Sequence, residues 1–141
     1  MSPIILDEQL GASELVVPLQ KWFKVRRLKD ILPHQTILDD RIPQILLSLS
    51  SPTFLTIDRD FWDRRLCNPG YCILYFAIPD FGQEELAISL KKLLRLRRLR
   101  SKVARAGKVI RVSATKIEFW EFQKNRLHRM PWKRLGRQPS E

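Results

Sequence analysis

Two short apolar runs, each ending in acidic residues, constrain the fold of this chain more than any other feature. The first is Ile4-Ile5-Leu6-Asp7-Glu8, and the second runs from Phe54 to Ile57 and leads into Asp58-Arg59-Asp60. A continuous apolar run is typical of a strand that is buried on both faces, as in parallel sheets. Acids that directly follow such strands lie at the carboxyl edge of the sheet, where open α/β folds bind ligands. Carboxylates gathered there repel one another unless a cation joins them, and Mg²⁺ and Mn²⁺ prefer oxygen ligands.

The order of the remaining segments predicts the fold class. With 141 residues and 44% hydrophobic content, the chain can form a domain with a real core. The β-α-β-α-β-α-β-α order predicts a three-layer α/β domain with a mainly parallel sheet. We expect strands at residues 3–7, 24–28, 53–58 and 71–78, and helices that begin near residues 13, 39 and 60. A long amphipathic helix over residues 83–105 should end at Gly107.

The carboxyl-terminal part is expected to extend this core. Residues 108–113 and 115–122 have the pattern of a β-hairpin, and a basic tail follows. The expected organisation is a core domain over residues 1–106, a β-hairpin over residues 107–123 and a basic tail over residues 124–141. No internal repeat is evident.

The charge is unevenly distributed along the chain. Residues 1–90 hold 9 Lys and Arg against 12 Asp and Glu, a net charge of −3, whereas residues 91–141 hold 17 against 3, a net charge of +14. An acidic part joined to a strongly basic part fits a protein that holds a metal in one place and a polyanion in another. The alternative is a solvated basic surface without a partner.

Other common kinds of site find little support. The two cysteines, Cys67 and Cys72, are too few for a disulfide framework, and the isolated histidines give no zinc-ligand spacing. No apolar stretch approaches the length of about 20 residues that a membrane-spanning helix needs. The start of the chain lacks the basic region of a secretory signal, so we expect a cytoplasmic protein without membrane contact.

Five aspartates from three segments form the candidate metal site: Asp7, Asp39, Asp40, Asp58 and Asp60. In a parallel sheet with right-handed crossovers, these segments can converge on one edge. Their carboxylates could hold one or two divalent ions, which would activate a water for attack on a phosphodiester. Each acid also has a structural alternative, because aspartates after strands and before helices often cap the local backbone.

These motifs resemble those of a nuclease family. The segments IILDE, LDDRI and FLTIDRDF are similar to segments of PIN-domain nucleases, especially the small PIN-like proteins that often act as toxins in toxin–antitoxin pairs. The resemblance covers roughly residues 3–95, and its most specific part is Thr56-Ile57-Asp58-Arg59-Asp60-Phe61, which matches the family's T-x-D-x-D-F run. It implies that Asp7, Asp40 or Asp39, Asp58 and Asp60 hold Mg²⁺ or Mn²⁺ and form the catalytic site. Thr56 would orient a carboxylate or a water.

The resulting hypothesis is a metal-dependent endoribonuclease whose basic residues hold the RNA backbone, with a cognate antitoxin and a second copy of the chain as further candidate partners. The candidate RNA-binding residues are Lys91, Lys92, Arg95, Arg98, Lys102, Arg126, Arg129, Lys133 and Arg134. Trp120 and Trp132 could stack on bases, although packing is the expected role of Trp120. The alternative hypothesis is a non-catalytic nucleic-acid-binding or partner-binding module on a PIN-like scaffold.

Overall fold

Seven strands form one sheet at the centre of the computed structural model, which describes residues 3–7, 10, 13–31, 39–77, 83–113 and 115–131. The strands are β1 (Ile4–Leu6), β2 (Val25–Arg27), β3 (Thr53–Thr56), β4 (Cys72–Phe76), β5 (Lys108–Val112), β6 (Lys116–Glu121) and β7 (His128–Pro131). They lie in the order β2-β1-β3-β4-β5-β6-β7. The pairs β1–β2, β1–β3, β3–β4 and β4–β5 are parallel, and the pairs β5–β6 and β6–β7 are antiparallel. The expected α/β class with a mostly parallel sheet is confirmed.

Within the described ranges, five helices connect the strands. They are α1 (Ser13–Gln20), α2 (Leu28–Ile31), α3 (Ile42–Leu47), α4 (Gln83–Leu93) and α5 (Lys102–Arg105). Single 3₁₀ turns lie at Asp39–Arg41, Arg59–Phe61 and Arg64–Leu66. None of the helices in the described ranges is long and apolar enough to cross a membrane.

Side chains alternate between two faces of the sheet, and each face carries its own core. On one side, which we call the α4 face, Leu6, Leu55 and Leu74 pack with residues of α1 and α4. On the other side, the α3 face, Ile5 and Phe54 pack with residues of α3 and with Phe61. The sheet therefore has helical layers on both sides, as a three-layer α/β fold requires.

The long helix predicted over residues 83–105 is wrong in extent. Helix α4 ends at Leu93, turns follow, and α5 begins after Ser101, whose hydroxyl accepts a hydrogen bond from the Ala104 amide. The spacing of buried leucines continues beyond the end of α4, since Leu94 and Leu99 are also buried. Arg105 stabilises the non-helical segment, since its guanidinium donates to the carbonyl oxygen of Leu99 at 2.9 Å and to that of Arg100 at 3.2 Å.

The carboxyl-terminal strands belong to the central sheet. The hairpin of β5 and β6 forms as expected, and β5 pairs with β4, so the hairpin continues the sheet. Gly107 precedes it with φ +85°, a left-handed backbone conformation that glycine adopts without strain. Residues 128–131, expected within a basic tail, instead form β7. The rest of that tail, from residue 132, lies outside the described residues.

Candidate acidic site and the row beside it

The order of the strands places a ligand-binding position between β1 and β3. The chain proceeds from β1 to β2 on one side, and β3 lies on the other side of β1. At such a switch point the connections leave the sheet toward opposite faces, and a crevice opens at the carboxyl ends of the two strands. Asp7 directly follows β1, and Thr56 is the last residue of β3. The two residues that end these strands therefore border the crevice.

Hydrogen bonds join Asp7, Thr56, Asp58 and Asp60 into one chain. The Thr56 hydroxyl donates to Asp7 Oδ2 at 2.6 Å and accepts from the Asp58 amide at 3.0 Å. The Asp58 carboxylate in turn accepts from the Asp60 amide at 2.9 Å. The backbone fixes the first contact as well, because the Asp7 amide donates to the Leu55 carbonyl oxygen at 3.0 Å. Thr56 thus holds the two strand-end aspartates in a defined relation.

The burial of these residues decreases from the sheet outward. Thr56 is completely buried and Asp7 is 7% exposed, whereas Asp58 is half-buried and Asp60 is exposed. Asp58, rather than Asp60, is the N-cap of the 3₁₀ turn Arg59–Phe61. Phe61 anchors that turn by packing edge-on against Phe54, with 5.2 Å between ring centroids. The turn keeps Asp60 close to the edge of the sheet.

The mid-chain acids lie at the start of α3. Asp39 and Asp40 belong to the 3₁₀ turn that precedes this helix, and the side chain of Asp40 is exposed. The N-cap of α3 is Arg41, which makes no side-chain capping bond. Within the described ranges, no three His, Cys, Asp or Glu side chains come close enough together to hold a metal ion. The chain of hydrogen bonds joins Asp7, Asp58 and Asp60 but does not include Asp40.

The candidate RNA-binding residues fall on different sides of the sheet. Lys91, Lys92 and Arg95 line a cleft of about 430 Å³ with Trp22, on the α4 face. Arg98 and Lys102 are exposed on the segment after α4, and Arg126 is exposed in the connection from β6 to β7. Lys133, Arg134 and Trp132 lie outside the described residues. Trp120 is half-buried, and the Arg64 guanidinium lies 5.3 Å from its ring centroid.

The cations of α4 lie on the opposite face of the sheet from the acidic chain of hydrogen bonds. Asp7 and Thr56 are two residues beyond Ile5 and Phe54, so side-chain alternation places them on the α3 face. A polyanion held along α4 would have to pass around the sheet edge to reach them. Arg129 differs from the cations of α4, because strand pairing places it on the α3 face.

A polar row that was not predicted from the sequence crosses the sheet beside the acidic site. Strand pairing places Thr56 beside Tyr75, Tyr75 beside Arg111, Arg111 beside Glu118, and Glu118 beside Arg129. Asp7 extends this row at its other end through its hydrogen bond with Thr56. Arg111 and Glu118 alternate with buried apolar residues in the hairpin, and that alternation was the available signal.

The two thiols are poor candidates for nucleophilic chemistry. Burial raises the pKa of the Cys72 thiol to about 12, and burial also raises the pKa of Cys67. Because the thiolate is the reactive form, both side chains are expected to remain protonated and inert near neutral pH.

Comparisons with protein-family models, with curated proteins and with solved structures found no match for this chain.

Proposed function

We propose that the protein is a metal-dependent ribonuclease of PIN-like type that hydrolyses RNA phosphodiester bonds, and that it acts as the toxin of a toxin–antitoxin pair. The observation that carries the nuclease proposal is the position of Asp7 and Asp58, which Thr56 links by hydrogen bonds at the crevice between β1 and β3. The toxin role rests only on the sequence resemblance, and the cognate antitoxin belongs to the same proposal.

The donor set fits Mg²⁺ or Mn²⁺. Mg²⁺ is commonly bound by one or two carboxylates together with waters and substrate phosphates, so it does not need a cage of three or more protein ligands. Asp7 and Asp58 would provide the carboxylates, with Asp60 next to them on the exposed side. Such an ion would lower the pKa of a bound water and offset the charge that develops on the phosphodiester.

The residues of the chain have separate parts in this mechanism. The Thr56 hydroxyl donates to Asp7, so it holds that carboxyl group in one orientation at the edge of the sheet. Asp58 caps the 3₁₀ turn, and its amide donates to the Thr56 hydroxyl, which ties the start of the turn to the end of β3. No serine, cysteine or histidine nucleophile is needed, because the attacking group is a water.

The experiment compares Asp58→Asn with Asp63→Asn in an RNA-cleavage assay with Mn²⁺. The two aspartates are matched, since each is the N-cap of a 3₁₀ turn and accepts a backbone hydrogen bond two residues ahead. Asparagine caps about as well as aspartate, so both variants should fold. We expect Asp58→Asn to lose cleavage and Asp63→Asn to retain it. Equal activity of the two variants would remove Asp58 from the proposed mechanism.

The second candidate function is a non-catalytic binding module, which the exposed side chains of Arg98, Lys102 and Arg129 would suit. Calorimetric titration with Mn²⁺ separates the two functions. A nuclease should bind the ion with an affinity that falls in Asp58→Asn. A binding module should bind RNA without binding Mn²⁺ in the crevice and should leave the RNA intact.

A further inference from the structure

Three cations surround one buried carboxylate on the sheet face that carries Asp7 and Thr56. The side chain of Glu118 is only 6% exposed. Its Oε1 accepts from Arg111 Nη1 at 3.2 Å, and its Oε2 accepts from Arg129 Nε at 3.2 Å. Lys116 Nζ lies 3.9 Å from the same Oε2. One negative charge is thus held among three positive charges, and the cluster keeps a net charge of about +2.

The cations of this cluster retain capacity for another anion. Their side chains are 38% exposed for Arg111, 49% for Lys116 and 67% for Arg129. A guanidinium carries five N–H donors in a fixed fork, and the contacts with Glu118 use one donor of each arginine. Glu118 already fixes the position of these side chains. They therefore lose less conformational entropy when a phosphate binds than free surface arginines would.

The distance between the cluster and the acidic site matches the length of a few nucleotides of RNA. Neighbouring strands are about 4.8 Å apart, so Arg111 on β5 is about 10 Å from Thr56 on β3, and Arg129 on β7 is about 19 Å away. A stacked strand of nucleic acid advances about 3.4 Å per nucleotide, so these spans correspond to roughly three to six nucleotides. Tyr75 is the residue of the row between Thr56 and Arg111.

The geometry points to Arg111, Lys116 and Arg129 as the binding site for RNA phosphates that lie about three to six nucleotides from the scissile bond. This inference rests on the proposed ribonuclease function and specifies the path of its substrate, along the α3 face from the row to Asp7 and Asp58. It places the substrate away from the cations of α4, which lie on the other face. The occupant is a single strand, since a flexible backbone can follow the row across the sheet.

The test measures salt-dependent binding of a short fluorescent single-stranded RNA to Lys116→Met/Arg129→Met. All chains carry Asp58→Asn, which prevents cleavage. This double variant leaves Glu118 paired with Arg111, so no buried carboxylate loses all of its partners. The matched control is Arg97→Met/Arg100→Met, which removes the same charge from exposed arginines between α4 and α5. Urea unfolding checks that both variants are folded.

The expected result follows from the release of counterions. For single strands log K changes by about 0.7 per phosphate contact for each tenfold change in salt, so two lost contacts should reduce the slope by about 1.4. If the row variant and the parent bind equally at 1 M salt, the row variant should bind about 25-fold more weakly than the parent at 0.1 M salt. The control should bind as the parent does. If the row variant does not bind more weakly than the control, the inference is overturned.

Two further measurements keep the result interpretable. If the double variant fails to fold, Arg129→Met alone, which changes the most exposed of the three cations, should reduce the slope by about 0.7. RNA cleavage by the wild-type chain is measured separately. Binding along the row without any cleavage would refute the ribonuclease but not the RNA path, whereas cleavage with unchanged binding in the row variants would refute the path but not the ribonuclease.

Discussion

Replacing Thr56 by valine tests the link between the two strand-end aspartates, because the change removes one hydroxyl at nearly constant volume. The hydroxyl donates to Asp7 Oδ2 at 2.6 Å, and a hydrogen bond to a charged group contributes about 1.5–3 kcal/mol. It also accepts from the Asp58 amide at 3.0 Å, which adds about 1 kcal/mol. Asp7 is 7% exposed, so little water can replace the lost donor. We expect the free energy of unfolding to fall by about 3 kcal/mol.

The assays are urea unfolding and thermal unfolding of Thr56→Val, Thr56→Ser and wild type without divalent ions. For a chain of 141 residues, 1 kcal/mol corresponds to about 3 °C in Tm, so the valine variant should melt about 9 °C lower. The serine variant keeps the hydroxyl and loses one methyl group, so it should lose only about 1 kcal/mol. Ordinary surface substitutions change the free energy of unfolding by up to about 0.5 kcal/mol. If the valine variant differed from wild type by no more than that, this hydrogen bond would not stabilise the fold.

Three other changes test separate parts of the structure. Asp58→Ala should unfold about 1 kcal/mol more easily than Asp58→Asn in urea, because only asparagine can still accept from the Asp60 amide; equal stabilities would contradict the capping role. Burial raises the pKa of Tyr71 and of Cys72 to about 12 each, above their ordinary values of 10.0 and 9.0. As the pH rises, the unfolded chain therefore loses these protons before the folded chain does. The free energy of unfolding should fall between about pH 9 and pH 12. Cys72→Ala should therefore flatten the pH dependence of unfolding above pH 9, and an unchanged curve would refute this origin. Arg105→Met should lower the free energy of unfolding by about 3 kcal/mol and speed amide exchange between α4 and α5, because the carbonyl groups that Arg105 contacts lose their donor. Arg105→Lys should restore little of this stability if the guanidinium fork is required.

The sequence predicts the sheet well because burial on both faces leaves a direct trace in the residues. The runs before Asp7 and Asp58 form β1 and β3, and the acids lie at the carboxyl edge as expected. The end of α4 could not be predicted, because the leucine spacing continues across it. The buried side chain of Arg105 donates to the carbonyl oxygens of Leu99 and Arg100 in the break, and that contact depends on the tertiary structure.

One part of the candidate site could be predicted from the local sequence, and the other part depends on the tertiary structure. The position of Thr56 between two aspartates follows from one local motif and one strand pairing, so the sequence indicated it. The cluster around Glu118 depends on the registers of β4 with β5, β5 with β6 and β6 with β7. Its cations lie far from the basic run near α4 that dominates the charge pattern, and β7 itself was expected to be part of a tail.

The register of the sheet connects the proposed chemistry with the proposed RNA path. Because side chains alternate along a strand, a slip of one residue between β4 and β5 would move Arg111 to the α4 face and place Ile110 or Val112 beside Tyr75. The apolar residues on both sides of Arg111 are buried against the α4 core, which makes that slip costly. The same packing that stabilises the hairpin therefore keeps Arg111 on the face of Asp7 and Thr56. A polar residue in place of Ile110 should weaken the fold and RNA binding together, whereas Arg111→Met should weaken RNA binding with a smaller effect on the fold.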